Sequence, residues 1–205
     1  MTERAKTQGE LREACLVEAM GIIKERGIEE LSLREVARRL GVSHQAPYRH
    51  FPSRDHILAE IVDRAFRRFD DHLAQGGITE DPQADLRRMG ELYLDYAARF
   101  PLEYRLMFGA KLPRVEEHPQ MMERGCGAFD QLRAVLARVL GGEPGDPQVT
   151  AEAMFVWSTI HGLASILQTE SMGKLGIDAA VQRMVSDHVL GRIDAALSNR
   201  ELTAD

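Results

Sequence analysis

The sequence contains very little cysteine: among 205 residues, Cys15 and Cys126 are the only two. They lie far apart, and neither belongs to a CxxC motif or is paired with a histidine at metal-ligand spacing. This scarcity argues against a disulfide framework and against a zinc finger. We therefore expect a reduced, cytoplasmic setting and neither a metal nor another cofactor.

Long apolar runs are also missing. The longest stretch without a charged side chain, residues 153–169, includes Ser158, His161 and Ser165, which is typical of a buried helix rather than a membrane span. The N-terminal MTERAKTQGELREA mixes both charges without an apolar centre, so we do not expect a secretory signal. Neither segment indicates a membrane partner.

Positive charge is not in excess over the whole chain, whose formal net charge is -6. Bulk charge therefore does not indicate a nucleic-acid-binding protein. The distribution is uneven, however, because residues 33–56 carry five arginines against Glu35 and Asp55. The sequence predicts a locally basic patch formed by Arg34, Arg38, Arg39, Arg49 and Arg54.

Strand-type alternation is nearly absent, whereas apolar residues at helical spacing occur along most of the chain. Hydrophobic residues make up 44% and charged residues 28%, which are ordinary values for a globular protein. We predict an all-α fold of about nine helices in two domains. Residues 1–53 should form a three-helix domain, and residues 54–205 a larger helical domain that begins with a linking helix over 54–75.

Capping residues predict several helix boundaries. Ser32 and Glu35 form a capping-box pair at the start of a helix over 33–40, which Gly41 ends. Ser43 is expected to cap a third short helix that reaches His50. Pro47 should distort its first turn, because proline lacks a backbone N–H and disfavours helical dihedrals in the preceding residue.

Two Asp-Pro pairs, Asp81–Pro82 and Asp146–Pro147, are predicted to start later helices. The last two helices should cover 147–172 and 177–199. Their apolar seams would supply half of a four-helix bundle, which a twofold-related copy could complete as a homodimer. The alternative is that both seams pack inside one monomer. The seam residues are Val149, Ala153, Val156, Ile160, Leu163 and Leu167, and then Val181, Val185, Val189, Ile193 and Ala196.

Residues 32–54 have the pattern of a DNA-binding element. Two short helices joined by Gly-Val-Ser predict a helix-turn-helix, whose second helix lies in the major groove. Gln45 can bond adenine edges, and Arg49 can reach guanine or phosphate. The alternative is a charged helix pair without a partner. The predicted contacts are Ser32, Arg34, Ser43, His44, Gln45, Tyr48, Arg49, His50 and Arg54.

The segment LSLREVARRLGVSHQAPYRHFPSRDHILAEI closely resembles the DNA-binding segment of the tetracycline-repressor (TetR) family. The matching residues are Ser32, Gly41, Val42, Ser43, Tyr48, Phe51 and Arg54, with Phe51 expected in the core. Pro47 departs from the family pattern, as do the residues near Gln45 and Ala46. The resemblance implies a homodimeric regulator, most often a ligand-released repressor, that binds a palindromic operator of double-stranded DNA. It also implies dimerisation through the last two helices.

The same resemblance implies a pocket for a small, mostly apolar effector in the larger domain, and Trp157 to Gly162 resembles the Trp-His-Gly type of effector domain. His161 is the best polar candidate for orienting a ligand, with a core or dimer-interface histidine as the alternative. Gly125 and Gly127 predict a kink, close helix packing or a later helix start. The candidate ligand-binding residues are Tyr93, Tyr96, Phe100, Tyr104, Met107, Phe108, Met122, Phe129, Phe155, Trp157 and His161.

An enzyme is the rival class. Ser158 or Ser165 with His161 would be the nucleophile and base, but no carboxylate lies nearby in sequence to orient the imidazole. No Asp or Glu precedes any histidine by three residues, so the Glu-x-x-His metal motif of helical bundles is missing. We predict no catalytic residues. A helical ligand-binding protein or enzyme that has lost DNA binding is the remaining alternative.

Overall fold

A computed structural model describes residues 8–109, 112–114, 117–169 and 171–198. Within these ranges the regular structure is helical, which confirms the all-α prediction. None of the helices found there is long and apolar enough to cross a membrane. The helices are α1 (Gln8–Arg26), α2 (Leu33–Leu40), α3 (Arg54–Ala74), α4 (Pro82–Arg99), α5 (Pro101–Met107), α6 (Pro119–Leu140), α7 (Pro147–Leu167), α8 (Ser171–Lys174) and α9 (Ala179–Ser198), with 3-10 turns at Ile28–Glu30 and Pro47–Arg49.

The chain divides into two compact units. The first runs to Ala65 and adds Leu106–Met122, and the second consists of Phe66–Arg105 and the chain from Glu123 onward. The divisions fall within α3, α5 and α6. The domain boundary that we expect after residue 53 stays a prediction. The first compact unit extends beyond it to Ala65, about one-half of the way along α3.

The first unit is built on α1 and α2. Both ends of α2 form as predicted. The Glu35 N–H donates to Ser32 Oγ at 3.2 Å, and Gly41 ends the helix with a left-handed φ of 67°. The other half of the capping box does not form, because the Glu35 carboxylate bonds arginines instead. The buried residues of the two helices are Cys15, Leu16, Ala19, Ile22, Ile23, Leu33, Val36 and Ala37.

The second helix of the helix-turn-helix is present as a short 3-10 helix at Pro47–Arg49, so the α-helix that we predicted from Ser43 to His50 is wrong. Residues 44–46 form a turn in which the Ala46 N–H donates to the Ser43 carbonyl at 2.9 Å, and a 3-10 turn follows at Pro47–Arg49. Pro47 cannot donate a backbone hydrogen bond, so an α-helical ladder cannot pass through it. Ala46 nevertheless keeps helical dihedrals, contrary to our expectation. Pro47 is buried and anchors the turn.

Both Asp-Pro pairs start a helix as predicted, at Pro82 and at Pro147, but only one of the two aspartates caps its helix through the side chain. Asp81 Oδ1 accepts the N–H groups of Gln83 and Ala84 at 3.0 and 3.1 Å, so Asp81 caps α4. Asp146 does not cap α7, because its Oδ2 accepts the Glu143 N–H at 2.8 Å and closes the preceding turn. Both carboxylates satisfy a backbone N–H, but the donor of Asp146 lies before it in the chain.

The second unit is also tied together by a buried carboxylate in α4. Asp85 accepts hydrogen bonds from Arg138 of α6 at 2.6 Å and from the Thr79 hydroxyl at 2.7 Å. The Arg138 and Thr79 hydrogen bonds lower the pKa of Asp85 to about 2. Asp85 therefore remains ionised and links α6 to the loop before α4.

The seam predicted on α7 packs inside the monomer. Val149, Ala153, Val156 and Ile160 of the seam are buried, and α7 contacts both α4 and α9. Towards the end of α7 the buried position is Ala164, whereas Leu163 and Leu167 of the predicted seam are half-buried. On α9, Leu190, Ile193 and Leu197 are buried, whereas Ala196 of the predicted stripe is exposed.

The predicted end of α7 at residue 172 is wrong. The Thr169 N–H and hydroxyl both donate to the Ile166 carbonyl, at 3.0 and 2.8 Å, and this tight turn ends the helix at Leu167.

Candidate functional site

Four of the predicted DNA contacts lie together on the first unit. Arg34 of α2 and three residues around the 3-10 turn, His44, Gln45 and Tyr48, line a shallow depression of about 380 Å³. We call these four residues the reading surface. A shallow, polar, exposed depression beside a helix-turn-helix turn suits the edge of a duplex better than an enclosed small molecule.

The arginines around the reading surface are not equivalent. Arg39 of α2 has 15% of its side chain exposed, and it bonds Glu18, Glu25 and Glu35 at 3.2, 2.8 and 3.1 Å. Arg38 donates twice to Glu35, both times at 2.7 Å. The predicted basic patch is therefore largely neutralised along α2.

Arg34 and Arg49 differ from these paired residues. Neither makes an ion pair with any residue in the part of the chain that the structure describes. Their guanidinium groups can thus meet phosphate without first breaking an internal pair. Of the five arginines in the predicted basic patch, Arg34 and Arg49 are the ones that need not break an ion pair within the described residues to contact the nucleic-acid backbone.

Arg54 has an internal structural role that the sequence did not indicate. Its Nη2 donates to the Ile28 carbonyl at 2.7 Å and its Nε to the Leu31 carbonyl at 3.2 Å. A third bond joins Nη1 to Asp55 at 3.3 Å. Arg54 thus satisfies carbonyl groups at the end of the 3-10 turn before α2, and its contact with phosphate stays a prediction.

Ser32, Ser43 and His50 occupy different surroundings from the reading surface. Ser32 caps α2, and the Ser43 carbonyl closes the turn at Ala46. His50 lines a separate cleft of about 370 Å³ in the first unit. Phe51 is buried, as predicted, with the Arg12 guanidinium 5.2 Å from its ring centroid.

That cleft was not predicted, because its residues come from segments that are distant in sequence. Arg12, His56, Glu60 and His118 contribute to its lining, and the His56 and His118 rings meet edge to face at 4.9 Å. In the described ranges, no three His, Cys, Asp or Glu side chains are arranged to hold a metal ion.

A polar cluster in the second unit unites several predicted effector residues. The Tyr104 hydroxyl lies 2.7 Å from His161 Nδ1, the Tyr93 hydroxyl lies 3.1 Å from the same nitrogen, and the two hydroxyls are 3.2 Å apart. Ser165 Oγ is 3.5 Å from His161 Nε2. Trp157 flanks His161, with ring centroids 6.0 Å apart, and contacts Phe129 at 5.9 Å.

The cluster is neutral near pH 7. Burial lowers the pKa of His161, which favours the uncharged imidazole. Burial raises the pKa of both Tyr93 and Tyr104, so neither hydroxyl ionises. Such a cluster can offer hydrogen bonds to a ligand without offering it a counter-ion.

The other predicted effector residues are dispersed. Tyr96 donates to Glu103 at 3.1 Å and packs against Phe100 at a centroid distance of 5.0 Å. Phe155 is exposed on α7. Met107 and Phe108 belong to the first unit. The side chain of Met122 lies outside the described residues.

The glycine pair of α6 has a packing role. The helix is continuous over Pro119–Leu140, so a later helix start is wrong. A Cβ atom at Gly125 would lie 3.2 Å from the Phe66 ring, which supports close packing, while the predicted kink stays untested. The sequence did not indicate a special environment for Asp70. This residue lies beside Gly127, and burial raises its pKa to about 6.

Comparisons with known proteins match two family profiles to the chain. The profile described as "Bacterial regulatory proteins, tetR family" matches residues 16–61, and "Tetracyclin repressor-like, C-terminal domain" matches residues 86–188. A solved tetR-family regulatory protein from Rhodococcus RHA1 superimposes with a TM-score of 0.71 at 13% identity, covering 94% of this chain and 99% of the other. The latter likeness concerns the fold alone.

Two relatives in sequence are similar over part of their length. The nucleoid occlusion factor SlmA of Pasteurella multocida is 27% identical over 57% of this chain and 58% of its own. The HTH-type transcriptional regulator EthR of Mycolicibacterium smegmatis is 25% identical over 68% of this chain and 64% of its own. The chain therefore spans about three-fifths of the length of these relatives.

Proposed function

Because the chain belongs to the TetR family of bacterial regulatory proteins, we propose that it is a DNA-binding transcriptional regulator, released from its operator by a small molecule. The observation that carries this proposal is the reading surface, which groups four hydrogen-bonding side chains. Among the described residues, neither its Arg34 nor the neighbouring Arg49 makes an ion pair. The protein would act in the cytoplasm, where its DNA partner lies, and without catalysis.

The reading surface supports a division of labour in DNA binding. Gln45 is exposed in the turn before Pro47, where its amide can pair with an adenine edge. Arg34, Tyr48 and Arg49 are suited to phosphate, which positions the protein without reading sequence. Two copies would engage half-sites about 34–36 Å apart, one turn of the double helix.

Homodimerisation is supported by exposed apolar residues on α7 and α9. Phe155 and Ile166 lie on α7 away from its buried stripe, and Met184 is exposed on α9. Since the family resemblance implies pairing through these helices, a second copy is the expected partner. The seam that we predicted to face this copy is buried in the monomer, so the opposite side of α7 would form the interface.

The cluster of Tyr93, Tyr104, Trp157 and His161 is the proposed effector site. A ligand that binds better to one arrangement of the dimer than to another shifts the population between them, by no more than its differential affinity. The helix α3 is the proposed mechanical link because it belongs partly to each unit. Tyr104→Phe should weaken release of DNA by a panel of neutral apolar compounds.

Fluorescence anisotropy with duplexes from the DNA upstream of the protein's own gene tests the central proposal. One duplex should be preferred over its scrambled counterpart at about 0.1 M salt, and Gln45→Ala should reduce this preference by about 1–3 kcal/mol. Arg49→Ala should weaken binding to both duplexes alike. If the wild-type protein prefers no duplex, the DNA-binding proposal fails.

Sedimentation velocity tests the dimer. Ile166 is 55% exposed on α7, and Ile166→Arg should produce monomers because it places a charge in the proposed apolar interface. Val17→Arg is the matched control, since Val17 is 71% exposed on α1. A wild-type monomer, or an Ile166→Arg dimer as stable as the wild type, would contradict the proposed interface.

A further inference from the structure

Arg38 lies on the same side of α2 as the reading surface. Arg34 and Arg38 are four residues apart on this helix, and such side chains project from one face, one turn from each other. Arg34 lines the reading surface, so Arg38 extends the same face by one turn. Its side chain is 63% exposed. By position alone, Arg38 is suited to contact a phosphate.

Glu35 holds this arginine in place. Its two oxygens accept from Arg38 Nε and Nη2, each at 2.7 Å, in the bidentate geometry that is strongest for an arginine and a carboxylate. The Glu35 side chain is 19% exposed and also accepts from Arg39 at 3.1 Å and Arg26 at 3.4 Å. These arginines lower the pKa of Glu35 to about 2, so the carboxylate remains charged.

The three arginines around Glu35 are not equally available. Arg39 is mostly buried and retains Glu18 and Glu25 as partners, so it would stay in place without Glu35. Arg26 lies at the end of α1, 3.4 Å from Glu35. Arg38 donates both of its side-chain hydrogen bonds within the described residues to Glu35. Removing the Glu35 charge therefore releases Arg38 first.

We propose that Glu35 is a positioning residue that withholds Arg38 from phosphate and so limits the sequence-independent part of DNA binding. This inference rests on the proposed DNA-binding function. Phosphate contacts raise affinity for every duplex without reading sequence. Coupling between an effector and DNA typically changes affinity by about 5–150-fold, so a regulator that must be released benefits from limited backbone affinity.

The test uses Glu35→Gln, Arg38→Gln, the double variant and the full-length protein, with anisotropy on a scrambled duplex between 50 and 200 mM salt. Glu35→Gln should bind more tightly, with the log–log salt slope steeper by about 1.8, since the proposed dimer gains one new phosphate contact in each subunit. Its advantage over the wild type should therefore shrink about 12-fold across this fourfold change in salt. The double variant should return to the wild-type slope.

Two controls separate this mechanism from a loss of structure. Glu25→Gln removes a carboxylate that bonds Arg39 but not Arg38, so its salt slope should equal that of the wild type. Arg38→Gln leaves Glu35 with Arg39 and Arg26, so its slope should also change little. Circular dichroism melts establish whether each variant is folded. If Glu35→Gln does not fold, the salt slope of Arg38→Gln still tests the proposal.

Three results would overturn the inference. One is a folded Glu35→Gln protein with an unchanged salt slope. Another is a gain in affinity that persists in the double variant, which would assign the gain to a different arginine. The third is a decrease of about 1.8 in the steepness of the slope for Arg38→Gln, because Arg38 of both subunits would then already contact phosphate in the wild type. Failure of the proposed function is distinguishable, since the wild type would then bind no duplex at 50 mM salt.

Discussion

Arg54→Ala should destabilise the first unit rather than act mainly through a lost DNA contact. Arg54 donates to the Ile28 and Leu31 carbonyls at 2.7 and 3.2 Å. Hydrogen bonds to charged groups contribute about 1.5–3 kcal/mol each when shielded. The Arg54 side chain is 36% exposed, which reduces this value, and we expect the free energy of unfolding to fall by about 2 kcal/mol.

Urea unfolding monitored by circular dichroism measures this loss, and Arg49→Ala is the matched control. Arg49 has no ion-pair partner among the described residues, so its replacement should leave stability unchanged while reducing the steepness of the DNA salt slope by about 1.8 for the proposed dimer. Arg54→Lys should recover only part of the lost stability, because one ammonium group cannot reproduce the fork of a guanidinium. An Arg54→Ala protein with wild-type stability and a reduced salt slope would refute the structural role and restore the phosphate contact.

Two further predictions concern the second unit. A methyl group at Gly90 would come within 2.5 Å of Leu190, so Gly90→Ala should lower the free energy of unfolding by about 1 kcal/mol through overpacking. The control is Gly21→Ala in an uncrowded turn of α1, in the first unit, which should raise the free energy of unfolding by about 0.5–1 kcal/mol. Equal shifts in the urea midpoints of the two variants would contradict this packing argument. The pKa of Asp85 falls from 3.8 to about 2 on folding, so its stabilising contribution is complete above pH 4 and is lost as the pH falls towards 2. Asp85→Asn should remove this part of the acid dependence, and identical acid titrations of variant and wild type would show that Asp85 does not contribute.

Local signals predicted the structure well where a single residue had one available partner. Ser32 and Asp81 each accept N–H groups of their own helix, and Gly41 adopts the left-handed conformation that glycine favours. Asp146 has the same local sequence signature as Asp81, but an N–H before it in the chain competes for the carboxylate. Spacing does not decide which donor wins, because that depends on the path of the preceding loop.

Features formed by distant residues could not be predicted in the same way. The carbonyl partners of Arg54 lie 23 and 26 residues away in sequence. Similarly, the apolar spacing of α7 predicted a seam but not whether a second copy or α4 and α9 would cover it, because periodicity identifies a face without its partner. The polar cluster was partly accessible, since the spacing of Trp157, His161 and Ser165 placed them on one face, but Tyr93 and Tyr104 join it from other helices.

The pairing of arginines also reconciles the proposed DNA binding with a net charge of -6. Arg34 of the reading surface and the neighbouring Arg49 have no ion-pair partner among the described residues, so the proposed dimer would present four such groups. If each neutralises one phosphate, these four alone predict a log–log salt slope of roughly -3.6. A slope this shallow gives weak sequence-independent affinity, so discrimination must come from base-edge contacts such as that proposed for Gln45. In the proposed function, the neutralised arginines of α2 would therefore favour recognition of an operator over retention on arbitrary DNA.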